Sequence, residues 1–382
     1  MTISDVLQRH VEEVLPSRKG LEALAKKKKI RLYLGVDPTA PHMHLGHAVV
    51  LRKLREFQGL GHEVVLLFGT FTAQIGDPSG RDKAREPLSE KEIKRNMATY
   101  KKQAGKILNL SKTTIQRNGD WLSKLKPQDF FKISSFFTAS QLLERDMFQN
   151  RIKKGGEVWM NELLYPLMQG YDSVAMDVDL EVGGTDQTFN MLVGRRLQKA
   201  YRGKEKFVLT TPLLLGLDGR KMSKSYGNTV NILDISQDMY GKIMSMKDEL
   251  IPHYFEFCTD VLPKEVAGLS PRNAKARLAK QIVAMYHGEK AAEKAQQEFE
   301  RVFQKKQAPS TIKSAEVSGK SVKLSDLLVQ VGLADSKSEA RRLVLQKGVR
   351  VEEIVQEDPE RVIRVKKGTV VQKGKREFRK IK

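Results

Sequence analysis

From about Arg31 to Gly227, short apolar runs alternate with longer stretches of helical periodicity. Arg31-Leu-Tyr-Leu-Gly-Val36 reads as a strand. Asp37-Pro-Thr-Ala-Pro41 ends it, because each proline fixes a turn geometry and removes a backbone donor. Leu45, Val49, Leu51, Leu54 and Phe57 then share one broad helical face. Glu63-Val-Val-Leu-Leu-Phe68 is apolar on both faces, as a buried parallel strand requires. Val178 to Val182 predicts a further strand, which runs through Gly183-Gly184 into a helix from Asp186 to Tyr201. Strands alternating with helices in this way predict a doubly wound parallel sheet, with its ligand at the C-terminal ends of the strands.

The pattern changes twice further on. From about Asp234 to Lys306 helical periodicity dominates, as in Ala274-Lys-Ala-Arg-Leu-Ala-Lys-Gln-Ile-Val-Ala-Met-Tyr286, which carries a basic face. A polar stretch from Ala308 to Ser321 reads as a linker. Beyond it, Ser336-Lys-Ser-Glu339 has the spacing of a capping box ahead of Ala340-Arg-Arg-Leu-Val344. Gly348-Val-Arg-Val351 and Arg361-Val-Ile-Arg-Val365 alternate like strands. The expected organisation is a Rossmann-like α/β domain over 1–230, an α-helical domain over 231–307, a linker over 308–321 and a small α+β module over 322–382.

Composition narrows the class of protein. A chain of 382 residues, 40% hydrophobic and 30% charged, can bury a substantial core as a soluble protein of two or three domains. It has no apolar run of membrane-span length, and Met1–Pro16 lacks the apolar core of a signal peptide. Cys258 is the only cysteine, which excludes an internal disulfide and any cysteine-built zinc site; a reducing cytoplasm is expected. The net charge of +22 points to a polyanionic partner, because phosphates met by Lys or Arg release condensed counterions. The excess is concentrated at Lys26-Lys-Lys-Lys29 and between Lys366 and Lys382.

Two clusters suggest what the sheet does. His44-Leu-Gly-His47 lies where a turn hands over to a helix, a place whose unpaired N–H groups favour an anion. Gly46 would let a nucleotide approach the backbone, and two imidazoles could donate to a phosphate. An isolated H-x-x-H is more often a helix cap or a core pair. Lys221-Met-Ser-Lys-Ser225 follows the turn-forming Leu217-Asp-Gly-Arg220, so its lysines lie on a loop. Two ammonium groups on a mobile loop can close over a leaving pyrophosphate, although a lone K-x-x-K is usually a solvated loop. In this order, with strand-loop-helix patterns around both, the clusters describe a site that spreads charge over ATP phosphates.

These residues bring a family into view. The chain resembles the class I aminoacyl-tRNA synthetases, and among them the bacterial-type tyrosyl-tRNA synthetases of the branch with a KMSKS-form second motif. The resemblance is carried by Tyr33-Leu-Gly-Val-Asp-Pro-Thr-Ala-Pro41, Gly76-Asp-Pro-Ser-Gly80, Tyr165-Pro-Leu-Met-Gln-Gly-Tyr-Asp172 and Gly183-Gly-Thr-Asp-Gln187 besides the two clusters. The module from Val322 resembles an S4-type RNA-binding domain. The resemblance implies a tyrosine–tRNA ligase that forms tyrosyl-adenylate from L-tyrosine and ATP, with Mg2+ accompanying the ATP, and charges tRNA(Tyr). It implies His44, His47, Lys221 and Lys224 as catalytic residues. Tyr33 and Asp172 would pair the phenol oxygen, and Asp77, Tyr165 and Gln169 the ammonium. Gly35, Asp37, Gly46, Gly184, Asp186, Gln187, Met222, Ser223 and Lys224 would contact ATP, with Arg81 and Arg85 reaching its pyrophosphate. No metal site built by the protein is implied. Phe130 to Trp159, with Phe131, Phe136, Phe137 and Met147, could be core, but the family uses this region for a homodimer interface.

Two positions depart from the family's best-studied branch. Glu181 stands where that branch has glutamine, and Lys-Met-Ser-Lys replaces its Lys-Phe-Gly-Lys. The nearest rival is a tryptophanyl-tRNA synthetase, which the Tyr33/Asp172 pair argues against. A non-catalytic RNA-binding protein would not need the intact histidines and lysines, and another nucleotidyltransferase would leave the C-terminal module unexplained.

Overall fold

The computed structural model describes residues 1–79, 88–223, 226–304, 312–374 and 377–382. It divides into two compact units, Met1–Gly288 and Glu289–Lys382.

The first unit is built on a six-stranded sheet: β1 Glu13–Leu15, β2 Arg31–Val36, β3 Glu63–Phe68, β4 Thr113–Arg117, β5 Leu180–Gly184 and β6 Phe207–Thr211. Their order across the sheet is β1-β6-β5-β2-β3-β4. All neighbours are parallel except β1, which pairs antiparallel with β6 at the edge. The chain leaves β2 for β3 and β4 on one side, then returns to build β5 and β6 on the other. The reversal places a crevice beyond the C-terminal ends of β2 and β5, where a doubly wound sheet binds its ligand. The doubly wound sheet expected from the alternation is therefore the observed architecture, with β2 and β3 at the bounds read from the sequence.

Central β3 is buried from Val64 to Phe68, which accounts for its unbroken apolar run. Helix Leu45–Gly59 packs on the sheet through the expected face: Leu45, Val49, Leu51, Leu54 and Phe57 are all buried. Burying each such side chain contributes roughly 1.5–3 kcal/mol before entropy is counted. Part of the basic N-terminal block is structural, because Lys28 Nζ donates to Asp179 Oδ1 at 2.8 Å. Helix Met160–Met176 crosses helix Thr188–Arg202 at a pair of glycines. A Cβ on Gly170 would stand 3.0 Å from the Gly194 backbone nitrogen, so both must remain small for the helices to meet. After the sheet come helices Ser236–Met244, Ile251–Cys258 and Pro271–His287, the last spanning the predicted Ala274–Tyr286 stretch.

The second unit starts with helix Glu289–Phe299. Its α+β part has strands β7 Lys313–Ala315, β8 Ser321–Lys323, β9 Val349–Val351, β10 Ile354–Gln356, β11 Val362–Arg364, β12 Val370–Lys373 and β13 Glu377–Ile381. Five form one sheet in the order β10-β9-β12-β13-β7, and β11 pairs with β8. Strand β7 lies within the stretch read as a linker, so part of that stretch belongs to the sheet. Helices Leu324–Gln330 and Lys337–Leu345 close a core of Leu324, Leu327, Leu328, Ala340, Val344, Val349 and Val371. Ser336 caps the second helix by accepting from Glu339 N at 3.2 Å. Glu339 itself accepts from Asp335 N, one residue before the box position.

Candidate active site

The floor of the crevice is formed by β2, β4 and helix Met160–Met176. Tyr33 on β2 is fully buried, and its hydroxyl lies 2.9 Å from Ser173 Oγ. Burial and the nearby Glu181 and Asp172 carboxylates raise its phenol well above the ordinary range. Asp172, one residue before Ser173 on the helix, accepts from Trp121 Nε1 at 2.8 Å and from Asn118 Nδ2 at 3.2 Å. Burial holds its carboxyl well above the usual carboxylate range, despite these two donors. Asn118 and Trp121 follow β4, so β4 aims Asp172 although it carries no expected site residue.

A network of amides and carboxylates leads from the floor toward the mouth. Gln169 donates to Glu181 Oε1 at 3.1 Å, and Glu181 pairs with Lys206, which is wholly buried at the start of β6. Burial lowers the Lys206 ammonium from its ordinary range, although Glu181 opposes the shift. The Asn190 amide nitrogen, at 3.1 to 3.5 Å, faces oxygens of Gln169, Gln187, Ser79 and Asp77. Asp77 accepts from Ser79 N at 2.9 Å, as a turn residue would, and from Gln187 Nε2 at 2.8 Å. Arg145 donates to Ser79 Oγ at 2.8 Å and lies over the Phe189 ring. Asp37 accepts from Tyr165 Oη at 2.9 Å and from Thr72 Oγ1 at 2.7 Å. Gly69 is required here, because a Cβ at that position would come within 1.9 Å of Asp37 Oδ1.

At the mouth the two clusters meet. His44 is the N-cap of helix Leu45–Gly59, and its backbone N donates to His47 Nδ1 at 3.2 Å. The two imidazole centroids are 4.0 Å apart. His44 also forms a bridge with Asn231, and Leu45 N donates to Val230 O at 2.9 Å, so chain following the second cluster is fastened to the first. Met222 is buried with its sulfur 4.0 Å from where a Cβ on Gly46 would stand. Asn228 shapes the loop, accepting from Ser223 N at 2.9 Å and donating to Lys221 O and Asp218 Oδ1. Its bond to Asp218, with help from Arg220, brings that carboxyl down to about 2. Lys221 Nζ lies 3.0 Å from Asp186 Oδ2, just beyond β5. Lys224, Ser225, Gly80, Arg81 and Arg85 lie outside the described residues.

The fold agrees with what the chain is similar to. Residues 25–304 match the family model described as tRNA synthetases class I (W and Y), and residues 303–381 the Tyrosine--tRNA ligase SYY-like C-terminal domain. The chain is 46% identical to the tyrosine–tRNA ligase of Thermotoga maritima, covering 98% of this chain and 96% of that one. It is 44% identical to that of Haemophilus influenzae, covering 100% and 97%. The chain belongs to the tyrosine–tRNA ligase family. Among solved structures, a C-terminally truncated Aspergillus nidulans mitochondrial tyrosyl-tRNA synthetase shares the fold with a TM-score of 0.67 at 24% identity, covering 79% of this chain and 94% of that one. The Archaeoglobus fulgidus tyrosyl-tRNA synthetase complexed with L-tyrosine shares it with a TM-score of 0.63 at 23% identity, covering 77% and 98%.

Against the family's expected site, the fold brings together nearly every described candidate. Tyr33, Gly35 and Asp37 come from β2 and the turn after it, Asp77 from the loop beyond β3, and Tyr165, Gln169 and Asp172 from one helix. Gly184 ends β5 and Asp186 and Gln187 follow it, while Gly46 of the first cluster faces Met222 of the second, which Ser223 follows. Three pairings within the protein were not part of the expectation. The Tyr33 hydroxyl has Ser173 as its hydrogen-bond partner, Gln187 is tied to Asp77, and Lys221 is held by Asp186. Sequence reasoning missed Asn118, Trp121, Ser173, Asn190, Lys206 and Asn228. Asn190 is one helical turn from Gln187 and Ser173 adjoins Asp172, so spacing could have found those two. Lys206, in the surface-like Gly203-Lys-Glu-Lys206, carries no signal of burial.

Proposed function

We propose that this chain activates L-tyrosine with ATP and transfers it to the 3′ end of tRNA(Tyr). The observation that carries the reading is the crevice itself: a buried polar floor with Asp172 and Tyr33, and a mouth where Met222 meets Gly46. In this reading Asp172 accepts the substrate phenol hydrogen and Tyr33 donates to its oxygen. The buried groups left unpaired by phenylalanine make that substrate unfavourable. Asp77, Tyr165 and Gln169 surround the ammonium. The tyrosine carboxylate attacks the α-phosphorus, pyrophosphate leaves, and a ribose hydroxyl of the tRNA then takes the acyl group while AMP departs.

No side chain need act as nucleophile, so catalysis consists of positioning and charge stabilisation. His44 and His47 donate to the phosphates, Gly184, Asp186 and Gln187 hold the adenosine with Gly35, Asp37 and Gly46, and Lys221 and Lys224 close over the pyrophosphate beside Met222 and Ser223. Arg81 and Arg85 extend that cationic side. The exposed ion pair of Lys221 with Asp186 is weak; arriving ATP exchanges it for phosphate on Lys221 and ribose on Asp186. Magnesium enters with ATP, held mainly by phosphate oxygens. The C-terminal unit binds the tRNA backbone through its basic surface. The enzyme works as a cytoplasmic homodimer joined near Phe131, 76% exposed, and Trp159, 56% exposed, an exposure that supports an apolar partner surface.

Tyrosine-dependent ATP–pyrophosphate exchange, run beside tryptophan and phenylalanine, tests the reading. Exchange with tyrosine alone is expected; exchange driven by tryptophan and not by tyrosine overturns it.

A further inference from the structure

Behind Tyr33 lies a set of buried polar groups that the reaction as proposed does not use. Lys206 is fully buried, and its ammonium donates to Ser173 Oγ at 2.9 Å and to the Glu181 carboxylate. Ser173 Oγ in turn lies 2.9 Å from the Tyr33 hydroxyl. The Lys206 nitrogen stands 5.9 Å from the Tyr33 ring centroid. The space exists because residue 194 is glycine: a Cβ there would come within 2.6 Å of Lys206 Nζ and 2.8 Å of Ser173 Oγ.

The donor and acceptor inventory gives this cluster a direction. An ammonium only donates, a carboxylate only accepts, and serine and tyrosine hydroxyls each carry one hydrogen. Two groups behind Tyr33 could take its hydrogen, Ser173 Oγ and Glu181. Both already accept from Lys206, and Glu181 also accepts from Gln169. A hydroxyl that accepts from an ammonium becomes a stronger donor through its own hydrogen, so Ser173, polarised by Lys206, donates to the Tyr33 oxygen and the Tyr33 hydrogen turns forward. Without Lys206, a helical serine would bond the carbonyl one turn back and accept from Tyr33. The unpaired Glu181 carboxylate would compete for the same hydrogen.

We propose that Lys206, acting through Ser173 and Glu181, is a positioning residue for amino-acid selection: it orders the hydrogens as Lys206 to Ser173 to Tyr33 to substrate phenol to Asp172. The inference rests on the tyrosine-pocket reading above. A donor-only group at one end and an acceptor-only group at the other favour a substrate hydroxyl that accepts from Tyr33 and donates to Asp172. Glu181 balances the buried charge of Lys206.

The test compares Ser173→Ala and the charge-matched double variant Lys206→Met/Glu181→Gln in pyrophosphate exchange, with tyrosine and with phenylalanine. Both are expected to lower kcat/KM for tyrosine about tenfold, mainly through KM, as the loss of one oriented hydrogen bond does. Phenylalanine, which has no hydroxyl, should keep its kcat/KM, so discrimination falls by the same factor. In a Tyr33→Phe background the double variant should add nothing further. Equal losses with both substrates, or full additivity with Tyr33→Phe, overturn the proposal. If the double variant does not fold, Ser173→Ala decides by the same two criteria. If instead Tyr33→Phe and Asp172→Asn leave discrimination intact, it is the tyrosine-pocket reading that fails.

Discussion

At the floor of the site, Asp172, Tyr33, Ser173 and Lys206 are buried and paired, each with a partner fixed by a different strand or helix. At the mouth, Lys221 keeps 43% of its side chain exposed and is held by an ion pair with Asp186. The difference follows from what each end has to do. Selecting a phenol requires polar groups whose misfit cannot be repaired by water, so they must be dry and immobile. Stabilising charge on a leaving pyrophosphate requires cations that move when the charge develops, and a water-exposed pair costs little to break. The same sheet serves both, because its switch point opens from a packed interior to a surface crevice.

The contrast can be broken most forcefully at the floor. Asp172→Ala removes the phenol's acceptor and strands the Trp121 and Asn118 donors. On that account tyrosine activation should fall by a hundredfold or more in kcat/KM, about 3 kcal/mol, in pyrophosphate exchange. Retained discrimination against phenylalanine in this variant would contradict the pocket assignment. At the mouth, Lys221→Ala should lower kcat by on the order of a hundredfold with tyrosine KM nearly unchanged. A pure KM effect would mean that the loop binds ground states as firmly as the floor does. Lys224→Ala should behave in the same way.

Smaller effects sharpen the same comparison. Gly194→Ala places a methyl against Lys206 and Ser173, so thermal unfolding should show a loss of about 1–3 kcal/mol, whereas Gly227→Ser in the loop region should not disturb the tyrosine pocket's discrimination. The elevated carboxyl of Asp172 predicts a pH effect with a definite sign. A carboxyl raised above its unfolded value, about 3.9, is deprotonated in the folded protein at a cost. Stability is therefore lost as pH rises from that value through the folded pKa. Asp172→Asn should flatten that fall in unfolding experiments run above the ordinary carboxylate range, while impairing activation. For the same reason, kcat/KM for tyrosine should drop on acidification at a pH above the ordinary carboxylate range.

The two ends also differed in how far they could be read beforehand. His44, Gly46, His47 and Lys221 form compact local signatures, and the fold then placed the two clusters side by side. Asp172 was legible as a motif residue, but its aiming groups were not. Asn118 and Trp121 lie more than fifty residues away along the chain, just after β4. Lys206 carried no signal at all, because nothing local reveals that Gly194 leaves a space for its ammonium.

What the sequence by itself determined is the alternation of strands β2, β3 and β5 with helices, the buried faces of β3 and helix Leu45–Gly59, and the chemistry of the motif residues. These follow from periodicity and turn residues within a few positions of one another. Only the tertiary structure decided which partners those residues take: Ser173 for Tyr33, Asp186 for Lys221, Glu181 for Lys206. Hydrogen-bond direction and the cost of a buried charge depend on groups brought together through the sheet, and no local pattern encodes that distance.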